Sequence, residues 1–286
     1  MAELLPRRRP APRALRVLPA SFSAVFSMLL LAASLASCAS VNGRGSSGKA
    51  ELATSSDQSA SQKRALIRMQ LAVEYYEQGQ MAVALDEIKK ALQADPELAD
   101  AYGVRALIYM NIAEPGLAED NFQRALQLAP HNPDLSNNYG SFLCQNGRAA
   151  ESIAYFDVAL KNSAYRSPAN AFNNAGSCSL KVNNLANAER YLLQAFAMTP
   201  DLAATNANLA LLYYKQRDYV RAGEFVARLG KTAKMDSLSA DVVWLAIKVE
   251  HRLGDEGAQA GWVTQLRRHH AATPEYAAYQ RGMFDE

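Results

Sequence analysis

Apolar residues along this chain fall into two regimes. One is a single run from Phe22 to Leu35; the other is a pattern of small and large apolar positions that begins near residue 65 and repeats. Between them, from Ala39 to about Lys63, large apolar side chains are almost absent. In the repeating part, Ala72, Ala84, Ala91 and Pro96 recur 34 residues later as Ala106, Ala118, Ala125 and Pro130, and Tyr75 recurs as Tyr109. Small residues at fixed offsets let two helices of one copy approach closely. Large ones (Ile88, Phe122, Phe156, Leu192) fill the space between copies, and the proline ends the second helix because it cannot continue it.

A period of 34 with this spacing resembles the tetratricopeptide repeat (TPR). The third copy has Tyr139, Gly140, Leu143, Phe156 and Ala159, with Ser152 at a small position and two extra residues around Tyr165-Arg166-Ser167-Pro168. The fourth has Ala175, Gly176, Ala188, Leu192, Ala195 and Pro200, and the fifth Leu209, Ala210, Tyr213, Ala222 and Val226. A more degenerate sixth, after a four-residue shift, has Trp244, Ile247, His251 and Ala260. The expected fold is all-α: a right-handed TPR superhelix of about six helical hairpins plus a short C-terminal capping helix. Its units lie near 65–98, 99–132, 133–168, 169–202, 203–240 and 241–274, within a TPR domain spanning 64–286. One hairpin cannot bury its apolar face alone, so stability adds over neighbours and the product is an extended binding surface.

The first run has a different purpose. Arg7, Arg8, Arg9, Arg13 and Arg16 precede it, and Leu35-Ala36-Ser37-Cys38 follows. A basic stretch, a short apolar run and a small-residue cleavage site describe a secretory signal over residues 1–37, and the run is short for a membrane-spanning helix of about 20 residues. Leu-Ala-Ser-Cys resembles the bacterial lipobox, which implies lipidation of Cys38 and permanent attachment by several acyl chains. Ala39 stands where an Asp would imply retention at the inner membrane, so the resemblance implies the outer membrane, periplasmic face. Residues 38–63 then read as a flexible polar tether, with a span of roughly 25–30 Å for about 25 residues. Within it, Gly43-Arg44-Gly45-Ser46-Ser47-Gly48-Lys49-Ala50 imitates a phosphate loop. It lacks both the Ser or Thr after the lysine and a preceding strand, so a nucleotide site is rejected.

Charge changes once the signal is set aside. The whole chain carries a formal +2; without the five arginines and Glu3 of the signal it carries −2. This balance argues against nucleic acid as a partner. With 49% apolar and 20% charged residues the chain can bury a substantial core.

In the TPR fold the first helix of each unit, helix A, faces the concave side. At those offsets stand Asn137, Asn138 and Ser141 in unit three, Asn173, Asn174 and Ser177 in unit four, and Asn208, Leu211 and Tyr214 in unit five, with Asn206 nearby. Each Asn offers one acceptor and two donors, so such a ladder can hold an extended peptide backbone. The alternative is a polar helix face copied by duplication. Met69, Val73, Tyr76, Leu107 and Met110 make the flanking offsets less polar; they suit an amphipathic or extended segment, or else belong to the core between repeats. Cys144 and Cys178 lie near the ends of adjacent A helices. An oxidising compartment permits a bridge where the helices converge, and a disulfide is expected, the alternative being two packed thiols. No catalytic set is found. His131, His251, His269 and His270 lack metal-ligand spacing, His269 and His270 are expected to cover the surface of the last repeat, and Asp86-Glu87 and Glu119-Asp120 read as solvated pairs on the second helices. No enzyme activity, metal or cofactor is expected.

Asn137-Asn138-Tyr139-Gly140-Ser141-Phe142-Leu143-Cys144, answered by Asn173-Asn174-Ala175-Gly176-Ser177-Cys178 with Tyr165-Arg166-Ser167-Pro168 between them, is more specific than generic repeat spacing. With the lipobox and tether it resembles the type IV pilus biogenesis/stability lipoproteins, the PilF/PilW pilotins. That resemblance implies an adaptor that binds pilus secretin subunits, travels with them through the lipoprotein sorting machinery and supports their multimerisation at the outer membrane. The rival reading is a general envelope scaffold, serving outer-membrane protein insertion or cell division.

Overall fold

The computed structural model describes residues 57–284. The signal, Cys38, the phosphate-loop lookalike and most of the tether lie outside the described residues. Those described form thirteen α-helices and one turn of 3-10 helix (Met235–Ser237), with no strand among them. Twelve helices pair as six hairpins: α1 (Ala60–Glu77) with α2 (Met81–Ala94), α3 (Ala99–Asn111) with α4 (Pro115–Leu128), and α5 (Pro133–Gln145) with α6 (Ala149–Lys161). Then come α7 (Pro168–Lys181) with α8 (Leu185–Met198), α9 (Ala203–Lys215) with α10 (Tyr219–Thr232), and α11 (Ala240–Leu253) with α12 (Glu256–His269). A short α13 (Pro274–Gln280) packs on α11 and caps the stack.

Helix α1 starts earlier than the sequence suggests. Ser59 accepts from the backbone of Gln62 while the Gln62 side chain accepts from the backbone of Ser59. This reciprocal cap satisfies two donors at the helix end, so residues 60–63, expected in the tether, are the first helical turn.

Every hairpin turns in the same way. The residues at the turn, Gly79, Ala113, Gly147, Asn183, Arg217 and Gly254, all have φ between +54° and +81°. The next residue donates its N–H back over the turn: Gln80 to Tyr75, Glu114 to Tyr109, Arg148 to Leu143, Asn184 to Ser179, Asp218 to Tyr213 and Asp255 to Glu250, at 2.8–3.1 Å. This six-to-one bond closes the orphan carbonyls of helix A. Asn184, Asp218 and Asp255 go on to cap the following helix with their side chains. The turn residues are 34, 34, 36, 34 and 37 positions apart. The shift before unit six is therefore three residues rather than four, and the 3-10 turn lies in that connection.

Seven positions before each of the first five turns stands Ala72, Ala106, Gly140, Gly176 or Ala210, and nine positions after it stands Ile88, Phe122, Phe156, Leu192 or Val226; the sixth hairpin has Ile247 and Val263 there. All of these but Val263 are buried. The fit is close: a Cβ on Gly140 would lie 2.9 Å from the Phe156 ring, and one on Gly176 would lie 2.5 Å from Leu192.

Polar ties join one unit to the next. Tyr139 of α5 and Arg148 at the start of α6 both donate to Glu119 of α4, at 3.1 and 2.6 Å. Tyr213 and Arg221 repeat this on Glu189 of α8, at 3.0 and 3.5 Å, and Tyr191 donates to Asp157 at 2.7 Å. The carboxylates expected to be solvated are thus partly structural. Glu87 is buried and paired with Arg68 and Lys90, both at 2.8 Å. His270 likewise bonds the Leu238 carbonyl through Nε2 at 2.8 Å instead of only covering a surface. In the longer joint between units three and four, Tyr165 fills the connection, and burial pushes its hydroxyl up to about 12.

Two predictions follow the packing and the ties. Gly140→Ala should destabilise the fold by about 1–3 kcal/mol through overpacking, whereas Gly261→Ala, in mid-helix with open space around it, should stabilise it by about 0.5–1 kcal/mol; denaturant titration reads both signs. The Glu119 carboxyl is held below its ordinary value of 4.5, chiefly by the hydrogen bond from Arg148. A folded value below the unfolded one contributes stability that is complete above the unfolded value and is lost as pH falls through the folded one. Between pH 7 and pH 3 the Tm of the native chain should therefore fall more steeply than that of Glu119→Gln.

Candidate protein-interaction surface

Successive A helices touch one another along the stack, α1 to α3, α3 to α5, α5 to α7, α7 to α9 and α9 to α11, and are closer together than successive B helices. A stack whose A helices are the nearer set curves with those helices inside. The inner face can then be read by counting back from each turn. Ten, six and three positions before it stand Met69, Val73 and Tyr76 in unit one, and Gly103, Leu107 and Met110 in unit two. At the same offsets stand Asn137, Ser141 and Cys144 in unit three, Asn173, Ser177 and Leu180 in unit four, Ala207, Leu211 and Tyr214 in unit five, and Trp244, Lys248 and His251 in unit six, of which Cys144, Asn173, Leu180, Ala207 and Trp244 are buried. An amide-rich centre is flanked by apolar first units and an aromatic last pair.

The asparagines bond first to one another. Asn174 Nδ2 donates to Asn137 Oδ1 at 3.0 Å and to Ser141 Oγ at 3.2 Å. Asn208 Nδ2 and Thr205 Oγ1 donate to Asn173 Oδ1 at 3.0 and 3.2 Å, and Asn137 Nδ2 donates to Asn138 Oδ1 at 3.3 Å. This network crosses from α5 to α7 and from α7 to α9. It occupies much of the hydrogen-bonding capacity that the sequence reserves for a peptide. Asn173 is buried, with 8% of its surface exposed, so it stitches repeats and does not line the open face. Asn206 is also buried, and its Nδ2 donates to the carbonyls of Pro200 and Leu202. Asn137, Asn138, Ser141, Asn174, Ser177, Asn208, Leu211 and Tyr214 are half-buried and reach the inner surface. The Nδ2 of Asn138 and the Oδ1 atoms of Asn174 and Asn208 stand outside this network and offer a row of polar atoms to a passing backbone.

Trp244 and His251, which the sequence places in the sixth copy, share this surface with Lys248, but the 34-residue spacing does not carry their groove offsets into unit six. The pair Gly254-Asp255 is the signal that recovers them: it marks the turn, and counting back ten positions puts Trp244 in the place of Asn137 and Asn173. Among the described residues, no group of three or more His, Cys, Asp or Glu could hold a metal ion, and no helix is long and apolar enough to cross a membrane.

A family model described as tetratricopeptide repeat matches residues 69–133 and 105–167. The type IV pilus assembly protein PilF of Pseudomonas aeruginosa is 27% identical over 212 residues, spanning 74% of this chain and 83% of that protein. A crystal structure of PilW, a widely conserved type IV pilus biogenesis factor, superposes with a TM-score of 0.69 at 31% identity and covers 76% of this chain and 98% of its own. The chain belongs to the PilF/PilW family of type IV pilus biogenesis TPR proteins. The structure of P. aeruginosa PilF agrees, with a TM-score of 0.70, 26% identity and coverage of 78% and 100%. As a PilF/PilW protein, the chain acts in type IV pilus biogenesis by binding protein partners through its TPR units.

In this PilF/PilW chain the centre of the inner face is also held covalently. Cys144 near the end of α5 and Cys178 in α7 form a disulfide with their Cα atoms 5.8 Å apart, closer than the 8–10 Å of ordinary helix packing. Both cysteines are buried. The bridge crosses the joint where the turn-to-turn spacing lengthens to 36, one helical turn along from the Asn174–Ser141 bond. With its ends 34 positions apart, it should contribute about 3–4 kcal/mol by restricting the unfolded chain. Replacing both cysteines by Ser should lower stability by that amount in denaturant titration, and dithiothreitol should then have no further effect on the variant.

Proposed function

We propose that this protein is a pilotin: a lipid-anchored adaptor on the periplasmic face of the outer membrane that binds subunits of the pilus secretin and supports their localisation and multimerisation. The observation that carries the reading is the inner face itself. Its polar centre, with Asn138, Asn174 and Asn208 facing outward from the network, suits the backbone of an extended segment, which it can hold without reading side chains. Its flanks, Val73, Tyr76, Leu107 and Met110 at one end and Leu211 and Tyr214 at the other, suit apolar anchors on either side. Binding of this kind shields a segment that would otherwise assemble early, and asks no chemistry of the chain. A purely adaptor role, without enzymatic activity, is part of the proposal.

The anchor supplies the destination. Lipidation at Cys38 would commit the protein and its cargo to the lipoprotein sorting route, and the polar stretch after it would let the stack stand away from the headgroups. The test separates the two halves. Cys38→Ala should leave a folded protein that still co-purifies with the secretin, while secretin multimers disappear from the outer-membrane fraction. Normal outer-membrane multimers in such cells would overturn the anchoring half. Co-purification of outer-membrane insertion machinery or a cell-division complex in place of the secretin would overturn the adaptor half in favour of a general envelope scaffold.

A further inference from the structure

After α13 the chain reverses. Gly282 has φ +70°, its N–H donates to the Tyr279 carbonyl at 2.9 Å, and the Met283 N–H donates to the Ala278 carbonyl at 3.0 Å. This is the same six-to-one closure that ends each A helix, and here it turns Phe284 onto the inner face. The Phe284 ring stacks on His251, with centroids 4.0 Å apart and planes 16° apart, and lies 5.5 Å from Trp244. Tyr279 meets it edge-on at 6.3 Å. The Tyr214 hydroxyl donates to the Phe284 carbonyl at 3.4 Å. Tyr214 and His251 share one offset from their turns, and Trp244 shares that of Asn137 and Asn173. Phe284 therefore occupies the same groove whose centre is lined by amides.

The mode of contact is that of a docked ligand. One apolar ring enters an aromatic box of offset and edge-on contacts, and one backbone carbonyl takes a hydrogen bond from a groove side chain. Lys248, with its ammonium 5.4 Å from the Tyr214 ring and 5.7 Å from the Trp244 ring, completes the rim. A partner segment running along Asn138, Asn174 and Asn208 toward unit six would meet this box next.

We propose that Tyr214, Trp244 and His251 form a recognition box for an aromatic side chain of the partner segment, and that Phe284 of this chain fills the box until the partner displaces it. The proposal rests on the reading that the inner face binds an extended segment, and it adds the chemistry of one anchor and a resident competitor. A tethered competitor acts at an effective concentration of order millimolar, so the box should be closed to weak ligands and open to a segment held along the groove as well.

The probe is a dye-labelled peptide of residues 279–286, Tyr-Gln-Arg-Gly-Met-Phe-Asp-Glu, titrated by anisotropy against the full detergent-solubilised chain. The Phe284→Ala chain, folded by circular dichroism, should bind this peptide at least tenfold more tightly than the native chain. The peptide with Ala in place of Phe should bind neither, and Trp244→Ala added to Phe284→Ala should abolish binding. Equal affinity of native and Phe284→Ala chains, no binding by either, or equal binding of the Ala peptide would each overturn the proposal. In a second arm, Phe284→Ala should bind the isolated periplasmic part of the secretin severalfold more tightly than the native chain, and an unchanged affinity counts against displacement. A secretin bound by neither chain overturns the adaptor reading, and the peptide arm still decides the box.

Discussion

Everything in this fold hangs on how closely two helices of a hairpin can approach. Helix A gives up its side chain at one position, to a hydrogen in Gly140 and Gly176 or a methyl in Ala72, Ala106 and Ala210, and helix B fills the space with a large apolar residue. The contact fixes the separation and rotation of the pair. The left-handed residue at each turn then has to return the chain along one path, which is why the six turns share one hydrogen bond although three of them use Ala113, Asn183 and Arg217 in place of glycine. A non-glycine residue there costs roughly 1–2 kcal/mol; the packed hairpin on either side holds it in place.

Between hairpins the interactions differ in kind. Buried rings and aliphatic side chains fill the joints, and the three middle joints each add a specific tie: Tyr139 and Arg148 on Glu119, Tyr191 on Asp157, Tyr213 and Arg221 on Glu189. These ties orient one unit on the next. Where the spacing lengthens, between units three and four, the disulfide and the asparagine network add to the regular repeat contacts. The result is an inner face that is most firmly held at its polar centre. A surface that must present amides in a fixed line benefits from that rigidity, since a preorganised groove loses less entropy when a segment docks.

The two ends of the face are more apolar, and the C-terminal end is already covered by Phe284. That arrangement fits a protein whose work is to bind and release other proteins during pilus biogenesis. On the proposed reading the polar centre would hold a backbone, and the aromatic end, which Phe284 covers, would discriminate.

The repeat and its helix pairing were legible in the sequence because they depend on residue size at fixed spacing. Ala84, Phe122 and Pro130 mean the same thing wherever they recur, whatever surrounds them. The inner-face offsets were legible for the same reason, and with them the family resemblance carried by Asn137-Asn138 and Asn173-Asn174. What each asparagine does was not legible. Asn173 and Asn174 are neighbours in sequence on one helix, yet one is buried as an acceptor for unit five and the other donates to unit three. Glu87 and Glu119 read as solvated and proved to be partners of distant arginines, and the first turn of α1 read as tether until its cap closed. Local pattern determined which residues form helices and which face each presents. Only the tertiary structure decided how those faces are used, including the closure of Phe284 over Tyr214 from 70 residues away, because hydrogen bonds and aromatic contacts between units depend on distances that no single repeat contains.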